Sequence, residues 1–181
     1  MWLIQFFVGF TAWIIPMLLL LIAGITVSSA YAYRKIQTHW WSKFIIGLLL
    51  LVCITVILSI TLFTRDVHTE PLIPSLIPFD SYRKVLNGEN RELLRSCFMN
   101  AVLFYPVGLL TAILLPQKWH LIIRIVLIGF IFTLMSAGIE YAQYAYALGQ
   151  PEVDDVIHNA LGAMIGGRFG CLITPSGSGN S

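Results

Sequence analysis

Charge is what this sequence has least of. Only 11% of its 181 residues are Asp, Glu, Lys or Arg, against about 25% in soluble domains, and residues 1–33 carry none. With 57% hydrophobic residues and a mean hydropathy of +0.81, a water-soluble fold is excluded and an integral membrane protein expected. Strand-like alternation is also missing from the apolar runs, which argues against a β-barrel; continuous runs satisfy their backbone as helices. A net charge of +2 gives no footprint for nucleic acid. Cys53, Cys97 and Cys171 are scattered, odd in number and without ligand spacing, so they read as core or membrane-edge thiols. No second histidine stands at ligand spacing from His158, so a metal site built on Glu140, Asp155 and His158 is not expected. No serine or cysteine sits in a nucleophile motif, no cofactor is implied, and nothing in the chain decides an oligomeric state.

What is present is a series of apolar runs, each near the roughly 20 residues that a 30 Å hydrocarbon core requires. The expected architecture is all-α, a polytopic transmembrane bundle of about five spans. Trp2 to about Ser29 forms the first, kinked at Pro16. A cleaved signal peptide is the rival reading, because Ala30-Tyr31-Ala32 resembles a cleavage site, but the basic leader is missing and the apolar stretch too long. A basic loop with Arg34, Lys35, His39 and Lys43 follows, flanked by Trp40 and Trp41 as interfacial anchors. Residues 1–43 thus make an extra N-terminal helix and loop.

The second span is Phe44 to Phe63. The one long polar segment, Thr64 to Ser96, is kept extended at first by Pro71, Pro74 and Pro78. Within it Leu76-Ile77-Pro78-Phe79 is apolar but too short to cross, so it should lie on the bilayer or over helix ends; residues 89–97 suit a short amphipathic helix. Cys97 to Leu115 is the third span. The fourth runs from Leu121 to Leu148, with Arg124 expected to snorkel, and the fifth from Asp155 to Ile173. Residues 174–181, rich in Ser and Gly, read as a disordered tail.

Five spans put the loop 31–43, the turn 116–120 and the C-terminus on one face. That face carries six basic residues and no acid, while all nine acidic residues belong to the other. The positive-inside rule then places the N-terminus outside and the C-terminus in the cytoplasm. Asn100, Glu140, Asp155, His158 and Asn159 gather at the second face whichever way the chain is inserted.

Polar groups at the margins of apolar helices are costly unless paired, wet or useful. Glu140 and Gln143, three residues apart, share a helix face. Glu140 is a candidate acid or base, or equally a structural carboxylate bonded to a neighbouring helix end. Asp154 and Asp155 stand where an N-cap of the fifth span belongs. With one of them capping, Asp155, His158 and Asn159 are expected to converge beside the positive helix end, a setting for a phosphate or carboxylate headgroup. Asn100 reads as a cap or cross-link between helix ends. Pro106, near the site end of its span, removes a backbone donor and opens room between helices. Gly162, Gly166 and Gly170 recur every four residues as a close-packing stripe, within the monomer or else between copies.

Three blocks carry a resemblance. Leu76-Ile-Pro-Phe79, Asn100 to Gly108 (Asn-x-x-x-Phe-x-Pro-x-Gly), and Glu140-x-x-Gln143 with Asp155-x-x-x-Asn159-x-x-Gly162-x-x-x-Gly166 are together similar to the VanZ-like membrane protein family. The founding member of that family is an accessory determinant of resistance to teicoplanin. The likeness covers about residues 45–173 and implies a four-helix unit in the bacterial plasma membrane. It also implies functional or structural weight at Pro78, Asn100, Pro106, Gly108, Glu140, Gln143, Asp155, Asn159 and Gly162. Ser75 stands where relatives have asparagine, Gln150-Pro151-Glu152 where many have arginine or threonine, and His158 lies outside the pattern. The expected function is an envelope protein with an outward polar pocket built from Asn100, Glu140, Gln143, Asp155 and Asn159. Its partners would be membrane lipids and a lipid-linked cell-wall precursor or glycopeptide. The alternatives are an intramembrane enzyme using Glu140 or Asp155 as general base, and a helical scaffold.

Overall fold

A computed structural model describes residues 40–63, 74–88 and 92–174, with Gly24 and Ser28 as isolated helical positions. The expected first span and the tail fall outside the described residues. The described chain is all-helical: α1 Trp40–Leu58, prolonged by a π-helical turn Ser59–Phe63; α2 Asp80–Leu86; α3 Glu92–Leu114; α4 Leu121–Ala145; and α5 Val153–Ile173. Four of these are long and apolar enough to cross a membrane; at 1.5 Å per residue, a 22-residue helix reaches about 33 Å.

Boundaries shift in instructive places. The amphipathic stretch expected before the third span is continuous with it, since nothing between Glu92 and Leu114 breaks the helix. Pro106 therefore lies past the middle of α3, not near its site end, and the helix runs through it. Asn100 likewise stands two turns inside α3, too deep to cap it.

Parallel helices α3 and α5 form the closest pair. An added methyl at Gly162, Gly166 or Gly170 would strike the carbonyls of Ala101, Tyr105 and Leu109 in turn, and one at Gly108 the carbonyl of Ala163. Each register step is four residues on both helices, so the stripe lets two backbones meet without intervening side chains. The glycine stripe is thus used inside the chain. Helix α4 packs antiparallel to α5, with Gly129 under Met164 and Gly167 under Ile128. Phe104, Val107, Ile128, Phe132, Ile139 and Ala163 fill the core, Phe104 meeting Phe132 edge to face. Helix α1 lies outside α3, burying Ile46 and Ile57 and turning Phe44, Ile45, Leu48, Leu51 and Val52 outward.

Arg124 departs from expectation. It does not snorkel but is 1% exposed, donating to the carbonyl of Ala112 near the end of α3 and to the Thr174 hydroxyl (2.9 Å) and carbonyl (3.4 Å) at the end of α5. Two helix C-termini present their unsatisfied carbonyls and partial negative charge there, so the guanidinium ties the two helices together at the face opposite the acidic residues.

Candidate functional site

The polar residues collect at the face where α1 and α4 end and α3 and α5 begin. Helix α5 starts at Val153, with Glu152 at its N-cap position making no side-chain cap bond. Neither aspartate occupies that cap position; Asp154 and Asp155 lie in the first turn, both buried. The carboxylate of Asp154 instead accepts the backbone N–H groups of Phe79 and Ser81 (2.8 Å for Ser81), capping α2 from another segment of the chain. Phe79 needs such support: its φ of 63° is left-handed, a conformation that a bulky residue adopts at a cost. A second tether is the pair Ser75 N–H to Pro151 carbonyl (2.9 Å) and Val153 N–H to Ser75 carbonyl (3.1 Å). Between the same segments, the Ser81 hydroxyl donates to Glu152 at 3.4 Å.

His158 and Asn159 turn to different neighbours. Consecutive helical positions are about 100° apart, so α5 carries two separate i, i+4 rows. Asp154 and His158 face α2, where the Tyr82 hydroxyl lies 2.6 Å from His158 Nε2. His158 Nδ1 contacts the Asp154 carbonyl; a carbonyl only accepts, so Nδ1 carries a proton, and in that tautomer Nε2 is the acceptor for the Tyr82 hydroxyl. Burial pushes the Tyr82 phenol above its ordinary value, and the nearby Asp154 carboxylate adds to this, which keeps it a donor. Outside the cluster, the Lys84 ammonium 2.8 Å from Asp80 holds that carboxyl below its usual range.

The second row, Asp155 and Asn159, belongs with α4. Asn159 Nδ2 donates to the Ser136 hydroxyl at 2.8 Å. One turn nearer the site face stand Glu140 on α4 and Asp155 on α5, so the antiparallel register sets these two carboxylates opposite each other. Glu140 Oε2 accepts the Glu152 N–H at 3.0 Å and so steadies the start of α5. Gln143, one turn on, donates to the Thr61 carbonyl in the π-helical turn at 3.1 Å, linking α1 to the cluster. Cys97 is buried beside Ser81 and the aspartate pair. Among the described residues no three His, Cys, Asp or Glu side chains are grouped as a metal would require.

Three site residues keep a buried amide atom without a protein partner: Asn100 Nδ2, Gln143 Oε1 and Asn159 Oδ1. For Gln143 the amide orientation follows from chemistry, since the Thr61 carbonyl demands the NH₂ group. Its Oε1 is then an acceptor left over in a side chain 1% exposed, a situation native structures rarely leave without a water or ligand.

The VanZ/LLP1 family model matches residues 44–173, well over half of the chain. The chain belongs to the VanZ/LLP1 family. No curated protein and no solved structure matches it significantly. The match opens within α1 and closes on the last residue of α5, so the four spans together with α2 are the VanZ/LLP1 unit. In it Pro78 lies in the exposed turn before α2, Gly108, Gly162 and Gly166 join α3 to α5, Glu140 and Gln143 are buried on α4, and Asp155 and Asn159 are buried on α5. Sequence reasoning missed Asp154 as the cap of α2, Tyr82 and Ser81 as its partners, and Ser136. Only Ser136 left a local trace: with Glu140 and Gln143 it completes an i, i+4, i+7 polar stripe on an apolar helix.

Proposed function

We propose that this VanZ/LLP1 protein is a binding or accessory component of the bacterial envelope, seated in the cytoplasmic membrane with its N-terminus outside and its C-terminus inside. At the outward face it engages the polar part of a lipid-linked, cell-wall-related ligand and lowers susceptibility to glycopeptides such as teicoplanin. The observation that carries the reading is the partnerless, buried Gln143 Oε1, next to the opposed Glu140 and Asp155. The phosphate or carboxylate ligand expected from the sequence is disfavoured. Asp154 already takes the N–H groups that begin α2, so its carboxylate stands at the α5 start where an anion would have to approach. The unsatisfied Gln143 Oε1 and Asn159 Oδ1 are acceptors, which suits a ligand presenting hydroxyl, amide or ammonium donors.

The test is glycopeptide susceptibility of cells expressing Glu140→Ala and Asp155→Ala at membrane levels equal to wild type. Each substitution is expected to restore susceptibility; an unchanged profile in both contradicts the reading. The opposition of Glu140 and Asp155 also favours a second reading, an enzyme acting on a lipid headgroup with one of them as general base. Glu140→Gln separates the two, because an amide keeps the shape but takes no proton: it should abolish catalysis and leave binding largely intact. The scaffold reading loses its motive, since the glycine stripe is used within the chain.

A further inference from the structure

Outside the polar cluster, the segment around α2 is anomalous for something tied to the end of a bundle. Leu76, Ile77, Phe79, Tyr82 and Leu86 are all exposed, Leu76 by 71% and Leu86 by 87%. Phe79, Tyr82 and Leu86 follow one helical stripe, with the first two rings 6.2 Å apart. Ser81, on the opposite side, is buried against the bundle. Between these lie the charged positions: Lys84 bonded to Asp80, and Arg83 beside the stripe.

The segment cannot swing away to hide its apolar side, because Ser75, Phe79, Ser81 and Tyr82 are each bonded to the start of α5 or the strap before it. Its depth is set by that attachment. At the same level the last turns of α4 expose Tyr141, Tyr144 and Tyr146, and the first turns of α3 expose Leu94 and Phe98. Tyrosines in that position mark the membrane–water boundary of spanning helices, so the α2 stripe continues a surface that already faces lipid. Seven helical residues are far too few to cross, whereas an amphipathic helix with basic residues on its flank lies in the plane of the interface.

We propose that residues 76–86 are an interfacial anchor, immersed at the headgroup–acyl boundary of phospholipid in the leaflet that holds the polar cluster. The anchor stands whether or not the cluster binds a cell-wall ligand. Leu76, Phe79 and Leu86 occupy the acyl side, and Arg83 and Lys84 reach the phosphates.

The experiment uses the full chain with Cys53, Cys97 and Cys171 replaced by alanine, a single nitroxide-labelled cysteine at position 76, 86 or 87, and vesicles of phosphatidylcholine and phosphatidylglycerol. Power saturation should give an oxygen-to-nickel accessibility ratio several-fold higher at 76 and 86 than at the exposed Asn87. A ratio at 86 equal to that at 87 places the segment in water and overturns the proposal. Low access to both reagents at 76 and 86 means that protein covers them, and overturns it equally. If the cysteine-free chain fails to fold, Leu86→Trp and Asn87→Trp in the native chain replace the labels. Added emission from position 86 quenched by brominated phospholipid, with none from 87, supports the anchor; equal quenching contradicts it.

Discussion

Replacing Asp154 by alanine removes two backbone hydrogen bonds at once, both charge-assisted and both at the start of α2. Cap loss typically costs about 1 kcal/mol and each bond to a charged acceptor about 1.5–3 kcal/mol, so α2 should detach well before the bundle unfolds. Hydrogen exchange is the measurement: protection at residues 79–86 falls at least tenfold in Asp154→Ala while α3 keeps its own, and equal loss in both helices contradicts the local role. Acid should loosen α2 by a separate route. The Asp80 carboxyl is held below its ordinary value chiefly by Lys84, so the stabilisation is complete above about pH 4, the unfolded value, and is lost as pH falls through the lower folded value. Asp80→Asn should remove this acid-dependent part of α2 exchange; an unchanged pH profile contradicts it. From the sequence Asp154 read as a cap, which was the right chemistry on the wrong helix. Its true partners are more than 70 residues away, and local spacing carries no information about them. His158 was set aside because it lies outside the family pattern and has no second histidine at ligand spacing; its contact with Tyr82 becomes visible only once α2 is placed.

Among the elements, α3 and α5 depend on glycine in a way that a single pair of substitutions can expose. Gly166 has the Tyr105 carbonyl where a side chain would go, while Gly138 on α4 has nothing within 4 Å. Gly166→Leu forces backbone apart in a close-packed core and should cost more than about 3 kcal/mol. Gly138→Ala should be neutral or stabilising by up to about 1 kcal/mol, through helix propensity alone. Thermal unfolding in detergent micelles compares them, and similar melting temperatures for the two would refute the backbone contact. The four described spans were legible because hydropathy and length are local properties, and the Gly162, Gly166, Gly170 repeat announced close packing. Its partner was not legible, since Gly108 is a single glycine with no repeat of its own. Arg124 was misread because an arginine near a helix start ordinarily reaches for the interface; here the carbonyl ends of α3 and α5 come to it.

Across the whole molecule, one end of the bundle is held by an arginine between helix C-termini and the other by carboxylates that cap, bridge and oppose one another. Under the proposed function, the polar residues at the second end also hold the headgroup portion of a lipid-linked ligand delivered at the level of α2. The family motifs singled out Glu140, Gln143, Asp155 and Asn159; the Leu76–Phe79 segment was legible as apolar and too short to cross, but its attachment to the start of α5 was not, because those partners lie far away in the chain. The most direct test places a photoreactive p-benzoylphenylalanine at Gln150, which is exposed in the strap beside the cluster, irradiates growing cells, and identifies adducts by mass spectrometry. A lipid-linked cell-wall adduct that disappears in Asp155→Asn at equal expression is the predicted result. Adducts restricted to bulk phospholipid, or a cell-wall adduct indifferent to Asp155→Asn, would contradict a ligand site at this face.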